Sequence, residues 1–349
     1  MIAKVETASA VFRVLGQLAK MDIVLVLLCG PPAVGKSTLA KDILTKLSGQ
    51  CGKTSVLPVH AYHIEYDRLI PVIQPLQWKS QRDSVARAIV DVCQFLKVSS
   101  SDNSSVSTCA LSPLALKIME ETDTAVTHAV THLSDTGRER LSVVFLLDDN
   151  FYYRSMRYDI YKLAADLQAR FGEVFVSTAS TETALARNVM RSTSVTESTI
   201  TRMLREFEMP NSADKFFEKN FTSIISPWSV EDLTDIVQFI EGLWRDPPVR
   251  INRHERDCIE RETTLAREVT KKSVLHQADC ILRKRVSEKC NVINGAKGEN
   301  NAKLIAFANS CRKSILKSLE KSELDYFALH MCELEDFLVQ SFNKAHEQF

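Results

Sequence analysis

No two of the nine cysteines in this 349-residue chain form a CxxC pair, and an odd count leaves no complete disulfide framework. Cys29, Cys51, Cys93, Cys109, Cys258, Cys280, Cys290, Cys311 and Cys332 are scattered singly, the usage expected in a reducing compartment. Long hydrophobic runs are also missing. None approaches the roughly 20 apolar residues that a helix needs to cross a bilayer, and residues 1 to 22 carry Glu6 and Asp22 among scattered apolar positions. Neither a membrane span nor a signal peptide is expected, which points to a cytoplasmic protein with no membrane partner. His128 and His132 have the i, i+4 spacing of a zinc-binding helix. The residues between them are Ala, Val and Thr, without the glutamate of HExxH, so a zinc site is not expected. The guanine motif NKxD is absent too, since Asn343-Lys344-Ala345-His346 lacks the acid, and this argues against a switch GTPase.

Net charge is lacking as well, with 44 basic and 44 acidic residues, yet the charges are unevenly spread. Between Arg250 and Lys317 there are 16 Lys and Arg against 8 Asp and Glu, whereas Ser318 to Phe349 holds 2 against 7. A basic block in a neutral protein suggests a polyanionic partner on one face, with a solvated helical surface as the alternative.

What is present is a phosphate-binding loop. Gly30 to Ser37 reads GPPAVGKS, matching GxxxxGK[ST]. It follows the unbroken apolar run IVLVLLC, Ile23 to Cys29, as expected of a parallel strand buried on both faces. It opens into a segment with helical spacing of Leu39, Ile43, Leu44 and Leu47. Strand, loop and helix in this order are the context in which the motif is specific for nucleotide. Backbone amides of Gly30, Pro31, Pro32, Ala33, Val34, Gly35, Lys36, Ser37 and Thr38, apart from the two prolines, are placed to curl around phosphate oxygens at a helix N-terminus. Lys36 is expected to reach the β- and γ-phosphates, and the Ser37 hydroxyl to complete the shell of Mg²⁺.

A chain of this length exceeds what one core usually serves. The pattern predicts a second strand at 55–60, a third at 142–147 with Asp148 and Asp149 at its carboxyl end, a helix over 154–170 and a strand at 173–177. It continues with a mostly helical stretch over 182–208, a last strand at 222–226 and a closing helix over 230–244. Alternation of this kind implies an α/β fold with a parallel sheet flanked by helices, and an acid at a strand's carboxyl end stands where ligands and Mg²⁺ collect. Residues 98–108 read as a serine-rich surface insert. Asp246-Pro247-Pro248 marks a boundary between a P-loop domain over 1–246 and an all-α domain over 247–349.

LLDDNFYYRSMRYDIYKLA, Leu146 to Ala164, closely resembles the Walker B region and following helix of the O-phosphoseryl-tRNA(Sec) kinase family, also called L-seryl-tRNA(Sec) kinases. The likeness extends to the phosphate loop, Tyr66-Asp67 with Pro71, Gln77-Trp78, the RxxxR element from Arg187 to Arg191, and HQADCILRKRV from His276. The resemblance implies ATP and Mg²⁺ as cofactors and seryl-tRNA(Sec) as partner, with phosphate moved onto the esterified serine in selenocysteine biosynthesis. It implies that Asp67 lies near the reacting hydroxyl and that Arg187 and Arg191 belong to a lid over about 183–209. Asp148 takes the metal role, Asp149 being the other possibility. The family's archaeal members carry a basic residue three positions after the acid, where this chain has Ile70. Asn150, Tyr152, Tyr153, Met156 and Arg157 are candidates to line the nucleotide or aminoacyl pocket. The C-terminal helices would hold the tRNA, with Arg283, Lys284 and Arg285 as phosphate contacts, in a monomer or a homodimer. The rival reading is a tRNA-handling ATPase of the Elongator-associated kind, which resembles this family in both halves but phosphorylates no serine.

Overall fold

The computed structural model describes residues 20–49, 60–99, 111–120, 140–191, 195–211, 213, 216–295, 301–322 and 324–346. The chain divides into two compact units. Residues 1–71 and 82–252 form the first, and residues 72–81 and 253–349 the second. His128, His132 and most of the serine-rich insert lie outside the described residues.

The first unit is built on five parallel strands: β1 (Lys20–Cys29), β2 (His60–Glu65), β3 (Arg140–Asp148), β4 (Arg170–Thr178) and β5 (Phe221–Ser226), in the order β2-β3-β1-β4-β5. Val24 to Cys29 are fully buried, as an unbroken apolar run in a central strand requires. The chain lays β2 and β3 to one side of β1 and β4 and β5 to the other. That makes the carboxyl end of β1 the topological switch point, the place where ligands of open α/β sheets bind. Helix α1 (Lys36–Gly49) covers one face by burying Leu39, Ile43 and Leu47 against Val24, Val26, Leu28, Val144 and Leu146. Each such burial contributes about 1.5–3 kcal/mol relative to exposure.

Several boundaries differ from the sequence expectations. The second strand runs over His60–Glu65, while 55–59 lie outside the described residues. Tyr62 and Ile64 are buried and Ala61, His63 and Glu65 only partly so, an alternation that suits an edge strand better than a continuous apolar run. A single turn of helix, α2 (Tyr66–Leu69), follows it, and then come α3 (Trp78–Ser99) and α4 (Pro113–Glu120). Helix α5 (Arg154–Asp166) stops short of the expected Arg170, because Gln168 turns left-handed at φ +55° and the Ala169 amide reaches back to the Ala164 carbonyl at 2.8 Å. This is a Schellman-type stop made with glutamine where glycine usually stands.

The stretch over 182–208 forms two helices, α6 (Thr181–Val189) and α7 (Glu197–Glu206), each begun by a side-chain cap from Ser180 or Thr196. The Asn188 amide spans the break between them, donating to the Val195 carbonyl at 2.7 Å and accepting from its N–H at 3.0 Å. Helix α8 (Val230–Leu243) closes the unit, opened by a reciprocal capping box between Ser229 and Asp232.

The second unit consists of α9 (Arg253–Gly295), α10 (Asn301–Glu320), α11 (Asp325–Leu329) and α12 (Met331–His346), with no strand among the described residues. Its core joins Val274, Ala278, Leu282 and Val286 to Ala308, Cys311, Leu319, Phe327, Leu334, Leu338 and Phe342. Leu76 and Trp78 pack on this core, with Trp78 edge-on to Tyr326 at 6.4 Å, which is why 72–81 belongs here. Helix α9 has 43 residues, a length of about 65 Å at the usual rise. Its first turns bury no described side chain, and Leu265 and Val269 stand exposed.

Candidate nucleotide and phosphoryl-transfer site

The phosphate loop leaves β1 with three residues at positive φ: Gly30 at 147°, Ala33 at 61° and Gly35 at 107°. A Cβ on Gly30 would stand 2.2 Å from the Val176 carbonyl oxygen, so no other residue fits there. Pro31, Pro32 and Val34 are buried, whereas Thr38 is exposed at the start of α1. Lys36 is buried, and its Nζ donates to the carbonyls of Gly30 at 3.0 Å and Pro31 at 2.7 Å and to Asn150 Oδ1 at 3.1 Å. Burial lowers its pKa to about 8, with Asp148 pulling in the other direction.

Register places the acids. Glu65 and Asp148 are paired across β2 and β3, and Leu28 faces Asp148 across β1 and β3, so the carboxyl ends of three strands converge beside the loop. Asp148 is only 4% exposed and its Oδ2 lies 3.1 Å from His63 Nε2. Ser37 Oγ donates to Glu65 Oε1 at 3.4 Å. The hydroxyl of Ser37 with the carboxylates of Asp148 and Glu65 is an all-oxygen donor set, the chemistry that suits Mg²⁺. Among the described residues no group of three His, Cys, Asp or Glu side chains could hold a metal ion. Asp149, the alternative metal-side acid, is paired with Arg82 instead.

The two arginines of the RxxxR element meet the same site. Arg187 Nη1 donates to the Val34 carbonyl of the phosphate loop at 3.3 Å and to Ser226 Oγ at 2.9 Å. Arg191 Nη2 donates to Asp67 Oδ2 at 3.2 Å. Asp67 lies in the short helix α2, exposed, and the capping position of that helix is taken by Glu65. Lys36, Asp67, Arg187 and Arg191, spread over 156 residues of sequence, thus belong to one neighbourhood of the first unit.

Other candidates are placed elsewhere. Arg157 is fully buried. Its guanidinium bonds Glu218 Oε1 at 3.0 and 2.6 Å and the Phe151 carbonyl at 3.0 Å, and lies 3.5 Å from Glu173. With two carboxylates on one cation, burial pushes Glu173 up to about 8. Tyr152 is buried edge-on to Phe207 and its hydroxyl is pushed up to about 12, while Tyr153 is partly exposed. In the helical unit, Arg283 is 68% exposed and pairs with Asp279 at 2.8 Å, and Lys284 is exposed. Arg285 is held by Glu288 at 2.9 Å and Glu335 at 3.5 Å. Three consecutive helical residues fan over roughly 200° of the helix surface, so they do not share one face. Asp279 fastens α9 to α10 through Arg312 at 2.8 Å.

Sequence reasoning missed His63, Glu65 and Arg82. The register of β2 against β3 places the first two, and Arg82 lies in the second turn of the amphipathic helix α3 with nothing in the sequence to set it apart.

Comparison with known proteins adds a second line of observation. A family model described as AAA domain matches residues 25–210, and one described as Chromatin associated protein KTI12 matches 127–337. L-seryl-tRNA(Sec) kinase of Mus musculus is 28% identical, the match covering 92% of this chain and 95% of that protein. The Homo sapiens protein of the same name is 29% identical over 80% of each chain. Among solved structures, Chaetomium thermophilum Kti12 in complex with ADP-AlF3 covers 63% of this chain and 98% of its own, at 14% identity and a TM-score of 0.38.

Proposed function

The chain belongs to the P-loop family whose AAA-domain and KTI12 models each match more than half of it, and on that premise we propose that it is the kinase of seryl-tRNA(Sec). It moves the γ-phosphoryl group of ATP onto the serine hydroxyl and yields O-phosphoseryl-tRNA(Sec), in the cytoplasm. The observation that carries this reading is the meeting of Asp67 with Arg191, beside a phosphate loop that Arg187 also touches. Likeness to two proteins named L-seryl-tRNA(Sec) kinase supports seryl-tRNA(Sec) as the acceptor.

Phosphoryl transfer demands positioning and charge neutralisation more than covalent help. The loop amides cradle the triphosphate, and Lys36 turns from its carbonyl acceptors to the β- and γ-oxygens. Arg187, in the last turn of α6, and Arg191, two residues beyond the end of that helix, bracket the migrating group. Ser37 and Asp148, with Glu65 beside them, would hold Mg²⁺, which when bound would supply further neutralisation of the phosphate oxygens. The serine Oγ forms its bond to the γ-phosphorus as the bond from that phosphorus to the β–γ bridging oxygen of ADP breaks. Asp67 orients the hydroxyl and takes its proton. The basic helices of the second unit, with Arg283 and Lys284 outermost, would hold RNA phosphates, since structured RNA is read largely through backbone and shape.

The match to the KTI12 model is compatible with a second reading, in which ATP is hydrolysed while tRNA is handled and no serine is phosphorylated. Nucleotide turnover separates the two. A kinase consumes one ATP for each seryl-tRNA(Sec) supplied, stops when the acceptor is exhausted, and ignores seryl-tRNA(Ser). Continued hydrolysis with either tRNA would favour the ATPase.

A further inference from the structure

The Asp149–Asn150–Phe151 turn after β3 touches the phosphate loop at both ends. The Asn150 carbonyl accepts from the Gly30 amide at 3.0 Å, and Asn150 Oδ1 accepts from Lys36 Nζ at 3.1 Å. One residue therefore meets the first position of the loop and its lysine. What holds that residue is Asp149, whose Oδ1 accepts the Asn150 amide at 2.6 Å while its Oδ2 is paired with Arg82 Nη1. Arg82 is nearly buried, with its guanidinium 4.7 Å from the Tyr66 ring centre and 5.3 Å from that of Phe151. Those two rings meet edge-on at 5.7 Å. Such a cation, stacked between rings and paired with a carboxylate, has little freedom to move. Phe151 itself sits at φ +44°, a conformation that costs a bulky residue energy and persists only where surrounding contacts impose it.

We propose that Arg82 is a positioning residue for the nucleotide: through Asp149 and Asn150 it sets where the Lys36 ammonium stands, and so tunes binding of the γ-phosphate. No covalent step is involved. Asp148, one residue earlier, keeps its own partner in His63, so the two neighbouring acids divide the work, one toward the oxygen donor set and one toward the lysine. The inference rests on the nucleotide-binding part of the proposed function and not on the acceptor. It therefore stands or falls separately from the identity of the tRNA.

The test is titration of the full chain with the non-hydrolysable analogue adenylyl imidodiphosphate and with ADP. Lys36 reaches β- and γ-oxygens, and only the triphosphate analogue offers the γ position. Arg82→Met, which keeps bulk and removes the charge, is expected to weaken the analogue by about tenfold, the size of one lost charge-assisted contact, and ADP by clearly less. Arg82→Lys should show the same selective loss at smaller size, because a point charge pairs with Asp149 but stacks poorly. Arg82→Met combined with Asn150→Ala should bind the analogue no more weakly than Asn150→Ala alone, since both interrupt one route. Equal loss of both nucleotides, unchanged affinity, or additive effects in the double variant would overturn the proposal. Should Arg82→Met fail to fold, a parent-like affinity ratio in Arg82→Lys overturns it instead.

Discussion

At the scale of single residues, the two ends of the chemistry differ in how they announce themselves. Lys36 and Ser37 are legible because the phosphate loop is a local motif whose purpose is written in contiguous residues. Asp67 became a candidate only by resemblance, and the structure adds what neither motif nor spacing contains, its bond with Arg191 across 124 positions. Glu65 and His63 depend on β2 lying in register with β3, which no local pattern states. Asp67→Asn keeps shape and removes the proton acceptor, so kcat for seryl-tRNA(Sec) should fall on the order of 10²-fold with little change in ATP affinity. Steady-state kinetics checks this. Turnover equal to the parent's would reduce Asp67 to a surface partner of Arg191.

Among elements, the middle of β4 carries an unusual load. Glu173 is fully buried beside Arg157, which Glu218 already occupies through two hydrogen bonds. Its carboxyl sits at about 8 in the fold against 4.5 when free. Between those values the folded chain keeps a proton that the unfolded chain has released, so stability declines as pH rises, with a limiting slope of about 1.4 kcal/mol per pH unit. Glu173→Gln removes that titration. Thermal unfolding should show the variant gaining on its parent from about pH 5 to pH 8 and holding a constant lead above, the window in which the shifted group titrates. A lead independent of pH would contradict the shift. The strands and helices of this unit were readable from apolar runs and periodicity, but ends such as Asp166 were not, since a left-handed Gln168 performs what glycine normally signals.

For the whole molecule, alternation of strand and helix revealed a parallel sheet, yet the strand order β2-β3-β1-β4-β5 is a matter of which edges meet and leaves no local trace. Likewise 72–81 joins the helical unit because Leu76 and Trp78 pack on its core, a long-range preference that the Pro-Pro boundary conceals. The charge asymmetry between the halves was plain, but the helix shows that Arg285 is tied to two carboxylates while Arg283 and Lys284 face outward. Replacing Arg283, Lys284 and Arg285 together with Ala should weaken seryl-tRNA(Sec) binding and leave ATP affinity alone. The slope of log affinity against log salt should flatten by roughly 0.7–0.9 per lost phosphate contact. The same affinity and slope as the parent would move recognition to another surface.

The central claim is that phosphate reaches a serine carried on tRNA. Its most direct measurement is the chemical identity of the amino acid released by mild alkaline deacylation, after seryl-tRNA(Sec) has been incubated with the protein, Mg²⁺ and γ-labelled ATP. The account predicts labelled phosphoserine, formed with the parent chain and lost in Lys36→Ala. Unmodified serine accompanied by free labelled phosphate would contradict it.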